Sequence, residues 1–351
     1  MLYPLSYGRS TSQDISQTSR TKVPEMGLLD NKVAVVTGAG SGLGREYAIA
    51  LAQQGASVVV NDYGANVLGQ HAGLQSAVDV AQHIVASGGH AVANTASVAD
   101  WNGAQSIIDD AVTSFGRCDI VVNNAGNNRP SSLVDLSEED IDSHLDVHLK
   151  GTLAVSHFAA AYWNTIGAEP HRAIINTTSS VGLHPTIGGG VYSAVKSAIA
   201  ALTVSHAQEL AALGVRVNAL APCARTRMVK DSPGVLALMP ETEGFDRHAP
   251  EHVAPLVVYL ASALNKFTGR IFAIEGPDVA LYTPFGVQQD WSTQGPWTPE
   301  QLADAFTEVD ARTTVNAFFP HGVTQHNVPP GRTLRALEEV ARSAGLEPTT
   351  F

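Results

Sequence analysis

The chain has little of what would place it in several functional classes. Its 351 residues include two cysteines, Cys118 and Cys223, which make no disulfide framework and fit no metal-ligand spacing. A reducing, cytoplasmic setting is the expectation that follows. Charged residues are 15% and aromatics 6%, against 44% apolar, the balance of a globular protein with an ample core. Basic residues are outnumbered 21 to 33, and the formal charge of −12 argues against a general binder of nucleic acid or anionic membrane. No apolar run approaches the roughly 20 residues a membrane helix needs. Thirteen histidines are present, but no H-E-x-x-H and no Cys/His cluster, so no metal is expected.

The first 25 residues are rich in Ser, Thr and Gln and lack an apolar stretch, so they do not read as a secretory signal. Their arginine content is thin for a transit peptide. A disordered leader over 1–26 is one reading, and an upstream start with the true one at Met26 is another. The far end, 281–351, is punctuated by Pro and Trp and turns helical from about Pro299. It reads as a C-terminal extension that carries no nameable chemistry and could cover a neighbouring subunit's site.

Between these ends, over 27–280, apolar runs alternate with helical patterns. The runs are "KVAVVTG" (32–38), "ASVVVND" (56–62), "HAVANTASV" (90–98), "DIVVNNAG" (119–126), "RAIINTTSS" (172–180), "GVRVNALAP" (214–222) and "GRIFAIEG" (269–276). Continuous β-branched runs without polar alternation belong to strands buried on both faces. Strand–helix alternation then predicts a doubly wound α/β fold of about seven parallel strands, with helices on both faces.

Three features carry chemistry. "TGAGSGLG" (37–44) falls where the first strand gives way to a helix. There Gly38, Gly42 and Gly44 permit a tight turn, close approach to a pyrophosphate and close packing of helix on sheet. The helix start at Ser41, Gly42 and Leu43 offers N–H groups to the anion. Asp62 ends the second strand, where a carboxylate accepts both ribose hydroxyls of NAD and repels a 2′-phosphate. No Arg or Lys adjoins it in sequence, so NAD is expected over NADP; a plain helix-capping Asp is the alternative. Finally, Tyr192 and Lys196 in "VYSAVK" are spaced i, i+4 and share one helix face. A protonated amine near a phenol lowers the tyrosine pKa towards working pH. Ser179, ending the fifth strand, could hold a substrate oxygen beside them, and the "GGG" at 188–190 lets the chain return. On a sheet that already carries a dinucleotide turn, these describe a hydride-transfer site.

With "TGAGSGLG", "NNAG" (123–126), Ser179, "YSAVK" and "RVNALAP" together, the chain resembles the short-chain dehydrogenase/reductase family over about 30–276. The resemblance implies a Rossmann-type domain with Tyr192 as acid/base and Ser179 orienting the substrate oxygen. It makes Lys196 both activator and ribose ligand, and sets Asn124 against the adenosine side of the cofactor. It also implies a homodimer or homotetramer packed through helices around 139–160 and 190–212.

The chain departs from the family pattern in three places. His148, in "VHLKG", stands where an Asn usually completes a proton relay; a modified relay is expected, with a packed or interface histidine as the alternative. Ser97, before Val98, replaces an acidic residue near the adenine. Cys223 replaces a glycine near the nicotinamide, where it is expected to pack rather than react.

The wording "VVVNDYGA", "VHLKG" and "EHVAPLVVYLAS" is similar to the (3R)-hydroxyacyl-CoA dehydrogenase unit of multifunctional β-oxidation enzymes and its stand-alone bacterial relatives. That implies interconversion of 3-hydroxyacyl-CoA and 3-oxoacyl-CoA. Arg225, Arg227 and Lys230, after the sixth strand, would meet CoA phosphates, or else are ordinary solvated charges. A steroid, polyketide or other free secondary alcohol is a second substrate reading. A non-catalytic dinucleotide sensor on the same fold is a third.

Overall fold

The computed structural model describes residues 27–73, 75–185, 189–230, 236–237, 239–282 and 298–305. The leader, most of the C-terminal extension and Gly188 of the glycine run lie outside the described residues.

Strands β1 (Val33–Thr37), β2 (Ser57–Asn61), β3 (His90–Asn94), β4 (Ile120–Asn123), β5 (Arg172–Thr177), β6 (Val215–Pro222) and β7 (Arg270–Glu275) answer to the seven apolar runs. All seven pair in parallel, in the order β3-β2-β1-β4-β5-β6-β7. An eighth strand, β8 (Asp278–Tyr282), turns back from β7 and adds an antiparallel edge. The sequence reading assigned no strand there, although Val279 to Tyr282 are all apolar; in the structure half-buried and exposed residues alternate along it.

Alternate side chains of each strand enter opposite cores, which is why the runs are apolar throughout. Ala34, Val36, Val58, Val60 and Val122 pack beneath helices α1 (Gly42–Gln53), α2 (Gln75–Ala86) and α9 (Ala254–Ala261). Val33, Val35, Val59, Val121 and Ile174 pack against α3 (Trp101–Phe115) and α5 (Gly151–Ile166), around the buried Trp163.

Local signals set the helix ends. Asp100 caps α3 by accepting from Gly103 N–H at 2.7 Å, and Gly116, at φ +81°, closes it. Ser137 and Asp140 form a reciprocal capping box at the start of α4 (Glu138–His144). Between α4 and α5 the chain takes one π-helical turn, Leu145–Lys150, which carries His148. A short α6 (Ser180–Leu183) and the long α7 (Gly190–Glu209) follow β5, and α8 (Arg227–Lys230) follows β6. The strand order reverses between β1 and β4, so a crevice opens at their carboxyl ends, the usual ligand position in such sheets. No described helix is long and apolar enough to cross a membrane.

Candidate active site

The glycine turn is built to hold backbone against backbone. Gly38 has φ +63°, and a Cβ there would lie 2.8 Å from the Ala125 Cα. A Cβ on Gly44 would lie 2.2 Å from the Gly38 carbonyl oxygen. Ser41, the N-cap of α1, places no side-chain cap on the helix. The first-turn N–H groups of Gly42, Leu43 and Gly44 therefore keep their capacity to bind an anion. These residues fit the pyrophosphate of a dinucleotide.

Asp62 stands directly across this turn. Its carboxylate accepts from Gly40 N–H at 2.8 Å and from Gly64 N–H at 2.7 Å, which fixes both oxygens beyond β2. The fold also brings up a cation that sequence distance had hidden: Arg227 donates to the Ala65 carbonyl at 3.1 Å, three residues past Asp62. Asn124 donates from its amide to the Thr37 and Gly38 carbonyls at 3.0 and 3.2 Å, so it ties β4 to the glycine turn. Ser97 accepts from Ala99 N–H at 3.2 Å, next to the buried Val98 that packs on Gly151 of α5.

Ser179, Tyr192 and Lys196 come together at the other side of the crevice. Ser179 is the N-cap of α6, accepting from Val181 N–H, and its hydroxyl stands near enough to Tyr192 to pull the phenol pKa down. Lys196 lies one turn below Tyr192, with its ammonium nitrogen 5.6 Å from the centre of the phenol ring. That nitrogen donates to the Thr177 carbonyl at 2.8 Å, while Thr178 Oγ1 donates to the Lys196 carbonyl at 2.6 Å.

The electrostatics correct one expectation. Tyr192 is not acidified by its neighbour: burial pushes the phenol up to about 12, with only the Ser179 hydroxyl pulling the other way. Burial likewise brings Lys196 down to about 7. Desolvation penalises both charged forms, and the amine is directed at a carbonyl rather than at the phenol oxygen.

His148 is buried on the π-helical turn, its ring edge-on to Tyr192 with centroids 5.4 Å apart. Burial holds it well below the ordinary histidine range, with the charge of Lys196 acting in the same direction. Its Nε2 sits 2.8 Å from the Asn127 carbonyl and 3.2 Å from the Asn127 N–H. One backbone residue thus offers this nitrogen both an acceptor and a donor, so Nε2 is satisfied in either neutral tautomer. The other nitrogen, Nδ1, is buried with no partner among the described residues. A water bridge is the ordinary remedy for such an atom.

The sequence reading missed the rest of this shell. Gly126 is required by His148, because a Cβ there would lie 2.6 Å from the imidazole Cε1. His144, one turn earlier, stacks on His148 at 5.8 Å; the spacing "HLDVH" was the available signal. Thr177 and Asn127 act through backbone atoms, which no side-chain pattern reveals.

The three basic residues separate. Arg227 and Lys230 line a cleft of about 310 Å³ beside Gly42 and Thr226. Arg225 also borders it, but its guanidinium is drawn into the fold, donating to the Met239 and Pro240 carbonyls and pairing with Asp246. Arg225 holds a loop together, and its charge is met there.

The family model described as "short chain dehydrogenase" matches residues 32–233. The chain belongs to this family. It is therefore an oxidoreductase acting at a hydroxyl-bearing carbon, with a nicotinamide dinucleotide as its cofactor. It is 38% identical over 286 residues to the hydroxyacyl-CoA dehydrogenase ChsB1 of Mycobacterium tuberculosis, across 78% of this chain and 87% of that one. To the peroxisomal hydratase-dehydrogenase-epimerase of Saccharomyces cerevisiae it is 36% identical over 74% of its own length, spanning 30% of that larger protein. A crystal structure of a short chain dehydrogenase from Mycobacterium avium superposes with a TM-score of 0.70 at 40% identity, covering 80% of this chain and 95% of that one. Matching dehydrogenase structures at 28% and 30% identity are complexes with NADH and with NADP, respectively.

Proposed function

We propose that the chain is an NAD-dependent dehydrogenase that interconverts a 3-hydroxyacyl-CoA and its 3-oxoacyl-CoA. The observation that carries this is the meeting of Ser179, Tyr192 and Lys196 at the carboxyl edge of the sheet, opposite the glycine turn and Asp62. The bound nicotinamide supplies the hydride acceptor in oxidation and the hydride donor in reduction. Ser179 orients the substrate oxygen, and Tyr192 takes the hydroxyl proton as the carbon loses hydride. Lys196 provides the counter-charge to the phenolate and, with NAD bound, would also hold the nicotinamide ribose.

His148 stays neutral, with Nε2 anchored on the Asn127 backbone, and its Nδ1 would orient a water that carries the proton out of the crevice. Gly42, Leu43 and Gly44 hold the pyrophosphate, while Asp62 selects the ribose of NAD. Ser97, Val98 and Asn124 border the adenosine side. The thioester reading draws on the hydroxyacyl-CoA relative and on Arg227 and Lys230, whose exposed charges line the cleft a phosphorylated substrate tail would enter.

The test is purified protein with NAD and a series of 3-hydroxyacyl-CoAs, followed by NADH absorbance, beside the matching free hydroxy acids and steroid alcohols. Turnover of the thioesters well above the free compounds is expected, with Tyr192→Phe losing it at least a hundredfold. Equal efficiency on the free alcohols defeats the CoA reading. Retained turnover in Tyr192→Phe defeats the assignment of the tyrosine.

A further inference from the structure

Three side chains far apart in the sequence, Cys223, His248 and Glu275, meet at the carboxyl end of the sheet, beyond β6 and β7. The thiol sulfur, an imidazole nitrogen and a carboxylate oxygen all lie within 4.8 Å of one another. Glu275 and His248 are buried, and Cys223 is half-buried. Their spacing in the chain matches no metal motif, which is why the sequence reading expected no metal.

The cluster is held from all sides. Cys223 directly follows β6, and its N–H donates to the Ile274 carbonyl of β7 at 2.9 Å. Glu275 is the last residue of β7, and Gly276 after it has φ +54°. A Cβ on Gly276 would lie 2.8 Å from both Cγ and the carbonyl oxygen of Arg247, so glycine is what lets the 247–248 segment close on the strand end. Arg225 fixes that segment, its N–H donating to the His248 carbonyl at 2.7 Å while its guanidinium pairs with Asp246. His248 Nε2 contacts Glu275 Oε1 at 3.1 Å.

We propose that Cys223, His248 and Glu275 form a site for one thiolate-preferring divalent cation of the Zn²⁺ or Cd²⁺ class, with water in the remaining position. Such ions take sulfur, nitrogen and oxygen donors in tetrahedral sets, and bonds of about 2.0–2.3 Å put neighbouring donors roughly 3.3–3.8 Å apart. From a limit of 4.8 Å, closing the set takes a contraction of about 1 Å, within the reach of side-chain rotation. The Cys223 S–H gives its proton to solvent as the sulfur–metal bond forms, and the thiolate and the Glu275 carboxylate then balance the two charges of the ion.

Arg247 is the opposing group, donating from Nε to Glu275 Oε1 at 3.0 Å. Its charge is shared with Asp278, to which it also pairs. Burial and the neighbouring Glu275 push the Cys223 thiol pKa up, so the cysteine is a protonated, inert packing residue until a cation displaces that proton.

The test is Cd²⁺ titration of the full chain, freed of tags and trace metals, following the ultraviolet thiolate-to-cadmium charge-transfer band and proton release. One equivalent of Cd²⁺, one proton released and reversal by excess Zn²⁺ are expected. Cys118, buried with 1% exposure, serves as the internal control: Cys118→Ser keeps the band and Cys223→Ser abolishes it. His248→Gln and Glu275→Gln each weaken binding at least tenfold while keeping the thiol, so the result does not depend on the cysteine variant folding. The proposal is overturned by the absence of a band at large Cd²⁺ excess, by a band that survives Cys223→Ser, or by unchanged affinity in both ligand variants.

Discussion

Lys196→Met should change how stability depends on pH, by an amount that the structure sets. Lys196 is 3% exposed, and burial lowers its pKa from 10.5 to about 7. Below pH 7 the amine is protonated in both folded and unfolded chains, and the full desolvation penalty is present. Between 7 and 10.5 the unfolded chain holds a proton that the folded chain has released, so wild-type stability rises with pH. Each pH unit in that window is worth about 1.4 kcal/mol. From pH 7 to 9.5 the lysine therefore contributes a rise of about 3 kcal/mol, which the methionine variant lacks.

Methionine keeps most of the stem, and the lost hydrogen bond to the Thr177 carbonyl shifts the variant by a pH-independent amount. Urea unfolding of both proteins at pH 7 and 9.5 reads the effect as the change in their stability difference. The variant should compare best at pH 7 and lose about 3 kcal/mol of that advantage by pH 9.5. A difference that stays constant within 1 kcal/mol would show that the amine is hydrated, or held ionised by a partner, and the reasoning would fail.

Asp62→Ala should raise NADP use relative to NAD at least tenfold, measured as the ratio of kcat/KM values. Equal use of both cofactors by the wild type would instead point to Arg227, beside Ala65, as the group that decides. Gly126→Ala drives a methyl into the His148 ring and should lower kcat about as much as His148→Phe, with little change in NAD affinity. Full activity in both variants would make His148 a packing residue. Asp119 is buried beneath the sheet, where it accepts from Val33 N–H at 2.9 Å and pairs with Arg117 and Lys32. Asp119→Ala should cost about 2 kcal/mol by urea unfolding, since it leaves the buried Val33 N–H unpaired, while Arg117 and Lys32 keep Glu169 as a second partner. A cost under 1 kcal/mol would mean water replaces the carboxylate.

The parallel sheet was legible because buried strands must be apolar on both faces, and the seven runs said so directly. The antiparallel β8 was not: its apolar Val279 and Leu281 lie exposed at the sheet edge, so no burial on both faces sets it apart from the extension that follows. At the site, Tyr192, Lys196, Ser179 and the glycine turn were legible as side-chain identity at fixed spacing. What escaped was whatever depends on burial or on backbone groups: the high pKa of Tyr192, the low one of Lys196, the Thr177 carbonyl and the two-sided contact of Asn127. Arg225 read as a free cation because Asp246, its partner, is 21 residues away.

The two displaced pKa values belong together. A buried phenol near 12 and a buried amine near 7 leave the pair one proton short of fully protonated across the range between them. Within that range the single mobile proton can rest on the phenol, giving a neutral pair, or on the amine, giving phenolate beside ammonium. Moving it changes no net charge, so the crevice avoids the large penalty that creating a lone buried ion would carry. His144 and His148, both held below the ordinary histidine range, add no charge that would fix the proton on one side. A tyrosine that looks too weak an acid by itself is thus a competent base as half of a pair, and the base-competent state should appear with an apparent value near that of Lys196 rather than that of the phenol. The rising limb of kcat/KM for alcohol oxidation is accordingly expected near pH 7. A limb centred above pH 9 would mean that the phenol ionises alone and the lysine does not share its proton.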